Sequence, residues 1–306
     1  MKKAVISILL TSLVLVLGGC GDTDEVAPDG PFFGGNKGMD IQFNENEPIT
    51  QFGELDTVPV SVEVTNEGET DVGTGEAKVK LFGINFDSFG LSSDFKGNTK
   101  PLRGKSELFP DGGNQDIPMG DAKYTFSIRN SEDFTFRAKV CYPYSTEARV
   151  DICISSKLLE EGRERICSIE GEKVKSGTVS AGPIQITSIT ETLRAADQIR
   201  FDIVIENSGS GDVYNPSSSC DDIEDDTTRN REKDKIVVEI VQPGDITCNF
   251  ADAESSSGIV ELDNGREVLT CWTTADETIK TKMNIQVNYR YVDRTERTVT
   301  ISESLG

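Results

Sequence analysis

The chain of 306 residues contains no histidine, a single tryptophan and no dense run of lysine or arginine. Without histidine, Ser-His-Asp and Cys-His catalysis and every imidazole-bearing zinc or haem site are excluded. The 31 basic and 53 acidic residues give a formal charge of −22. Phosphate binding needs a basic face, so we expect no nucleic-acid partner. No Cys-x2-Cys pair occurs, which argues against a zinc or iron–sulfur site.

The first twenty residues have the pattern of a secretory signal. Two lysines precede an uncharged, mostly apolar stretch, and two glycines stand directly before Cys20. The sequence Leu-Gly-Gly-Cys at 17–20 resembles a lipobox, which implies cleavage after residues 1–19 and lipidation of Cys20. The alternative is an uncleaved signal anchor, because the uncharged stretch is just long enough to span a bilayer. Both alternatives predict an extracytoplasmic protein that is anchored to a membrane.

Residues 20–38 are rich in Gly, Asp and Pro and show no apolar period. This composition predicts a flexible tether that holds the folded part off the membrane. Phe32 and Phe33 form its one large apolar pair. We expect this pair to mark the docking of the first strand, and the alternative is an exposed plug for a partner.

Two pairs of segments match each other. Residues 58–72 match the segment that ends at residue 213, with an offset of 141, and residues 138–154 match residues 285–301, with an offset of 147. The first pair shares an Asn-x-Gly turn and the second a Tyr-x-Tyr motif. This order predicts a tandem of one unit, with a first unit at 39–182 and a second at 183–306.

Apolar and polar residues alternate strictly within these segments, as they do in strands with one buried face. Asn264-Gly265, between two apolar runs, predicts a β-hairpin. No ten-residue stretch after residue 20 has a convincing helical stripe. The sequence therefore predicts an all-β fold of two tandem immunoglobulin-like antiparallel β-sandwiches.

The phrase VSVEVTNEGETDVGTG, repeated as FDIVIENSGSGDV, resembles the opening of CARDB-type domains, which are immunoglobulin-like modules of microbial surface proteins. The Tyr-x-Tyr strand is similar to a later strand of such modules. The resemblance implies adhesion, assembly or protein–protein contact, and it supplies no catalytic residues.

Six cysteines remain if Cys20 carries lipid, and an even number in an exported chain suggests disulfides. The spacing favours Cys153–Cys167 across a hairpin and Cys248–Cys271 within the second unit. The remaining Cys141 and Cys220 would lock the two units together. In the alternative, Cys141 is a small buried hydrophobe and Cys220 stays reduced.

Five carboxylates crowd into six positions at the start of an acidic insertion: Asp221, Asp222, Glu224, Asp225 and Asp226. A hard cation would relieve their repulsion, and calcium is the ion that such a cluster suggests. The spacing is not that of an EF-hand loop. The alternative, which we favour, is a solvated loop without a cofactor, partly neutralised by nearby basic residues.

The two Tyr-x-Tyr pairs, Tyr142 with Tyr144 and Tyr289 with Tyr291, each lie on one face of a strand. We expect them in the core because the repeat keeps them in both units. The alternative is an exposed patch for docking or carbohydrate stacking.

The sequence thus suggests a non-enzymatic surface lipoprotein that acts as an adhesion, display or scaffold module. Its partners would be the membrane, through the lipid anchor, and an unknown envelope or surface protein. One alternative is a solute-binding or carboxylate-dependent hydrolase subunit, with a pocket between the units that holds two carboxylates, one with a raised pKa. Another is a filament or surface-layer subunit.

Overall fold

The computed structural model describes residues 30–155, 166–195, 198–243, 245–251, 253–275 and 278–303. Cys20, the signal and the turn of the predicted Cys153–Cys167 hairpin lie outside these residues. The described residues form strands and two short helices, with the bounds β1 Met39–Phe43, β2 Gln51–Gly53, β3 Val58–Asn66, β4 Lys78–Phe82, α1 Phe86–Phe89, β5 Lys96–Gly97, β6 Asn114–Ala122, β7 Ser131–Ile154, β8 Ile184–Ala195, β9 Gln198–Asn207, β10 Asp212–Tyr214, α2 Asp226–Glu232, β11 Lys235–Gln242, β12 Thr247–Asn249, β13 Glu254–Ser255, β14 Ser257–Glu261, β15 Arg266–Thr274 and β16 Ile279–Ser302.

These strands form three sheets, and the all-β prediction is confirmed. A first sheet has the order β1-β3-β6, and a second the order β13-β12-β15-β9-β8. The central sheet has the order β14-β11-β16-β7-β4-β5, with β10 and β2 added beside β16. Neighbouring strands are antiparallel except β2, which lies parallel to β16.

The central sheet is built on β7 and β16, which pair over 24 residues, from Ser131 opposite Ser302 to Ile154 opposite Ile279. β7 comes from the first half of the described chain (30–182) and β16 from the second (183–303). Along most of both strands every second side chain is buried, as expected for a sheet that covers a core. The two halves therefore share one sheet.

The register of this pair relates the halves by a local two-fold axis. Tyr142 lies opposite Tyr291, and Tyr144 lies opposite Tyr289. The repeat offset of 147 also relates Tyr142 to Tyr289 and Tyr144 to Tyr291. Pairing thus brings each motif against its own copy, and the axis passes through the pair Pro143–Arg290.

One continuous cluster of buried apolar side chains runs through both halves. It includes Val62 of the first sheet, Ile203 of the second, and Val140 and Val287 of the central sheet. Burial of apolar area at about 25 cal/mol per Å² is the main favourable contribution to the stability of such a core. Because this cluster is continuous across both halves, we expect the halves to stabilise each other.

The Asn264-Gly265 turn forms, but the hairpin prediction is wrong. Asn264 and Gly265 both have positive φ values, 51° and 80°, as in a tight hairpin turn. The flanking strands nevertheless enter different sheets, β14 beside β11 and β15 beside β9. The Gly265 carbonyl accepts from Asn207 N at 2.7 Å, a partner distant in sequence. The turn therefore links two sheets.

Residues 30–38, predicted as part of a flexible tether, pack against the body instead. Phe32 N donates to the Gly177 carbonyl at 3.1 Å. The Glu69 carboxylate accepts from Phe33 N and Gly34 N, both at 3.0 Å, and from Ala181 N at 2.6 Å. Phe33 itself is 51% exposed. One carboxylate therefore joins the start of the first half to the link between the halves.

Both helices were missed because they are too short to show an apolar stripe. α2 begins inside the acidic insertion, where the Asp225 carboxylate accepts from Thr228 N at 2.9 Å and caps the helix. Within the described ranges, neither helix reaches the length and apolarity that a membrane crossing requires.

Candidate functional site between the two halves

Four tyrosines meet on the core side of the central sheet at the local two-fold axis. Adjacent ring centroids in the set lie 5.6 to 6.3 Å apart. Tyr142 and Tyr289 are fully buried, and Tyr144 and Tyr291 are at most 3% exposed. Burial raises the pKa of all four hydroxyls, so they stay protonated hydrogen-bonding groups. The expected core position is the one observed.

In the first half, Tyr144 closes the Asn-x-Gly turn. Its hydroxyl donates to Asn66 Oδ1 at 3.0 Å and accepts from Thr70 N at 3.2 Å. A Cβ at Gly68 would lie 2.1 Å from this hydroxyl, so only glycine fits there. We call this arrangement of Asn, Gly and Tyr the tyrosine clasp.

The second half repeats the tyrosine clasp. The Tyr291 hydroxyl donates to Asn207 Oδ1 at 3.1 Å and accepts from Gly211 N at 2.8 Å. A Cβ at Gly209 would lie 2.3 Å from that hydroxyl. The sequence repeat therefore encodes one hydrogen-bonded unit twice, and the two units meet at the axis.

All six described cysteines are paired, as Cys141–Cys220, Cys153–Cys167 and Cys248–Cys271. The two pairs that the sequence favours are present, and of the two alternatives left open for Cys141 and Cys220 the structure has the disulfide. They indicate an oxidising, extracytoplasmic environment. Cys141–Cys220 connects β7 of the first half to the acidic insertion of the second half, on the face of the central sheet opposite the tyrosines.

Cations of the first half hold the acidic insertion in place. The Glu224 carboxylate bonds Lys80 Nζ at 2.7 Å and also contacts Lys139 Nζ. Burial acts to raise the pKa of Glu224, but the hydrogen bonds from these two lysines outweigh it and hold the pKa below its usual value. Asp221 bonds Lys78 at 2.8 Å. The insertion is thus a clamp between the halves.

The other carboxylates of the proposed calcium cluster serve local roles. Asp222 accepts from Ser219 N at 2.9 Å, Asp225 caps α2, and Asp226 pairs with Arg229. Across the described ranges, no three His, Cys, Asp or Glu side chains are grouped as a metal site would require. The calcium hypothesis stays a prediction, and the geometry gives these side chains protein partners.

A cavity of about 340 Å³ lies beside the tyrosines where the halves meet. Its lining includes Asp40 from the first half and Asp293 from the second. Burial raises the pKa of Asp40, with further repulsion from Glu67 and Asp293 and an opposing attraction to Lys37. Lys37 pairs with Glu67 at 2.6 Å. The cavity thus places two carboxylates between the halves, one of them with a raised pKa.

The sequence offered no signal for Asp40 and Asp293 as partners. They lie 253 positions apart, and only the register of β16 with β7 and the packing of β1 bring them to one cavity. Asp40 alternates with buried residues in β1, which is the pattern of any solvent-facing strand position. Long-range register was therefore the missing information.

No protein-family model and no curated protein matches the chain. Among solved structures, a secreted serine protease, VesC from Vibrio cholerae, aligns at 9% identity with a TM-score of 0.19, over 85% of this chain and 51% of that one. Escherichia coli alpha-2-macroglobulin activated by porcine elastase aligns at 8% identity with a TM-score of 0.13, over 87% and 32%. The chain thus spans about half the length of the first protein and a third of the second.

The match to a secreted protease counts against the sequence-based prediction that the chain is not an enzyme, and that prediction is withdrawn. At TM-scores this low, neither likeness assigns a fold, an activity or a catalytic residue to this chain. What the protein does must be inferred from its own geometry.

Proposed function

We propose that the chain is an extracytoplasmic surface lipoprotein, anchored to a membrane through Cys20, whose rigid β body acts as an adhesion, display or scaffold module. The pairing of β7 with β16, the Cys141–Cys220 disulfide and the ion pairs of the clamp all support rigidity. A rigid body presents its loops at a set position, which lowers the entropic cost of binding a partner.

The loop between β5 and β6 gives the strongest support for contact with a partner. Leu108 is 86% exposed and Phe109 is 52% exposed, in the connection between β5 and β6. Ser106 and Phe109 exchange two backbone hydrogen bonds, at 3.1 and 3.0 Å, so the tip is a tight turn. At its base, Asp71 accepts from Arg103 at 2.6 Å and from Gly104 N at 2.8 Å. The exposed apolar tip on its ordered base supports this loop as the surface through which the module would contact a partner.

The anchor and the contact need separate tests. The intact mass of the detergent-extracted full chain should equal that of a chain beginning at a lipid-modified Cys20, and a retained Met1 or an unmodified Cys20 would contradict the anchor.

For the contact, a photo-reactive residue at Leu108 should cross-link to one surface protein on intact cells. The matched control is the same residue at Ile259, 38% exposed on β14. Equal adducts from both positions would defeat the display proposal.

The cavity between the halves supports a second candidate, a solute-binding or carboxylate-dependent hydrolytic site that uses Asp40 and Asp293. A solute that fills the cavity should raise the Tm of the full chain, and Asp40→Asn with Asp293→Asn should remove the rise. If every solute in a screen shifts the Tm of the parent chain and of the double variant equally, this candidate is eliminated.

A further inference from the structure

A cleft of about 660 Å³ on the outer face of the central sheet reverses the charge balance of the chain. The whole chain has 31 basic and 53 acidic residues. The cationic side chains that line the cleft are Arg149, Lys173, Lys175, Lys280 and Lys282. Among the described residues that line the cleft, the acidic ones are fewer: Asp151, Glu170 and Glu172. The cleft is therefore a basic site on an acidic protein.

Two strands create this concentration of charge. Lys282 lies directly opposite Asp151 in the β7–β16 register, and Lys280 is two residues away on the same face. The Asp151 carboxylate pairs with both, at 3.1 Å to Lys282 and 3.3 Å to Lys280. The two lysine side chains remain 67% and 59% exposed. One carboxylate shared by two exposed ammonium groups leaves a net positive charge.

The remaining cationic side chains differ in their exposure and in the groups that they contact. Lys173 is directed into the protein, where its Nζ lies 3.1 Å from the buried carboxylate of Glu191. The Arg149 guanidinium lies over the Phe32 ring, with its central carbon 5.4 Å from the ring centroid. Lys175 is exposed at the rim. Lys175, Lys280 and Lys282 are therefore exposed cations that can reach an external anion, whereas Arg149, whose side chain is 49% exposed, is also paired with Glu147 at 3.2 Å.

The position of the cleft identifies the anion. Gly30 and Pro31 border it, and the chain before them leads back to Cys20. Ten residues, 20–29, span at most about 35 Å. If Cys20 carries lipid, as in the proposed function on which this inference rests, the cleft lies within that distance of the membrane surface. That surface is the nearest dense source of phosphate groups.

We propose that this basic cleft docks the body onto the anionic phosphate headgroups of the membrane that holds the anchor. Lysine side chains near an anionic surface are attracted to it, and salt screens this attraction. The chain as a whole is acidic and is repelled by the same surface, so the docked orientation places the cleft toward the lipid.

The test uses the full chain, extracted from membranes and reconstituted in vesicles of phosphatidylcholine alone or with phosphatidylglycerol. Acylation of each lysine by a water-soluble reagent is followed by mass spectrometry. Lys175, Lys280 and Lys282 should react several-fold more slowly on the anionic vesicles, while the control residues Lys100, Lys105 and Lys123 should react equally on both. Equal rates for the cleft lysines on both vesicles would overturn the proposal.

Charge-reversal variants and inorganic phosphate distinguish docking on lipid from binding of a free anion. Lys280→Glu with Lys282→Glu should abolish the protection of Lys175, whereas Lys100→Glu with Lys123→Glu should preserve it. Inorganic phosphate, added at matched ionic strength to phosphatidylcholine vesicles, should give no protection. Protection by phosphate alone would mean a site for free anions and would overturn membrane docking.

The intact mass of the extracted chain distinguishes failure of the proposed lipid anchor from failure of the docking proposal. If the extracted chain carries no lipid, the proposed anchor fails, and the cleft is then tested by co-sedimentation of the full chain with the same vesicles. If the parent chain sediments with anionic vesicles and the Lys280→Glu, Lys282→Glu variant does not, the cleft remains a headgroup-binding site. No difference between the variants and the parent would refute it.

Discussion

The two tyrosine clasps have the same hydrogen bonds but not the same surroundings. Asn66 of the first half is fully buried, and its Nδ2 donates to the carbonyls of Thr70 at 2.7 Å and Leu102 at 3.0 Å. Asn207 of the second half is partly exposed, and its Nδ2 donates to the carbonyl of Gly211 at 3.0 Å. The hydrogen bonds that both clasps share define the repeat. Because Asn66 makes one bond more than Asn207, we expect the stability of the first half to depend more on its clasp than that of the second.

The halves also differ on the opposite face of the central sheet. Cys141 of the first half corresponds to Asn288 of the second, and Pro143 corresponds to Arg290. Cys141 and Arg290 both hold the acidic insertion, Cys141 by its disulfide and Arg290 by donating to the carbonyl of Ser218. The residues that break the repeat thus serve the clamp between the halves.

The largest expected effect comes from opening the clamp. Replacing Cys141 and Cys220 with serine removes a crosslink between residues 79 positions apart, and the loop-entropy estimate is about 4.5 kcal/mol of unfolding free energy. The matched control is Cys153→Ser with Cys167→Ser, whose separation is 14 and whose estimate is about 3 kcal/mol. Urea unfolding measures both. A smaller loss for the clamp than for the control would show that the insertion does not hold the halves.

Disrupting the two clasps should lower the unfolding free energy by different amounts. Asn66→Ala removes the side-chain donor of the partly buried Thr70 carbonyl and one of the two donors of the Leu102 carbonyl, which keeps its bond from Val72 N at 2.9 Å. It should lower the unfolding free energy by about 2 kcal/mol, against about 1 kcal/mol for Asn207→Ala. Urea unfolding of the two variants measures the difference. Equal losses would mean that the clasps are energetically equivalent despite their surroundings.

The ion pairs of the clamp should give a pH-dependent effect. Glu224→Gln should lower stability by about 1 kcal/mol at pH 7. Because the folded pKa of Glu224 lies below its ordinary value of 4.5, its contribution is present above that value and disappears as the pH falls through the folded pKa. Chemical unfolding from pH 7 to pH 3 measures it. Glu296→Gln, which breaks an exposed pair with Arg137, is the control and should have almost no effect. A loss for Glu224→Gln that is unchanged at pH 3 would contradict this assignment.

The smallest effect is expected at the cavity between the halves, and it has the opposite sign. The raised pKa of Asp40 means that its charged form costs stability above the folded pKa, and protonation removes the cost as the pH falls. Asp40→Asn should therefore stabilise the protein by about 0.5 kcal/mol or less at pH 7 and not at all below pH 3.8. Thermal unfolding measures it, with exposed Asp121→Asn as the control. Destabilisation at pH 7 would show that the Asp40 charge has a favourable partner.

The class of fold, the repeat, two of the three disulfides and the buried tyrosines were accessible from the sequence because each depends on local alternation, spacing or direct self-comparison. The Cys141–Cys220 pair was left open, because its partners lie 79 positions apart in different halves. The division of β14 and β15 between two sheets was not, because a tight turn specifies a reversal of the chain and not which strands pair beyond it. The cavity of Asp40 and Asp293 and the cleft of Lys280 and Lys282 depend on the β7–β16 register, which alternation alone leaves open.

Hydrogen exchange of the full chain tests the shared sheet most directly. If β7 and β16 bind the halves into one body, amides of β3 in the first half and β9 in the second should exchange at one rate, through a single cooperative opening with the free energy of global unfolding. Complete exchange of β3 while β9 remains protected, or the reverse, would show that the halves unfold independently and would contradict the account.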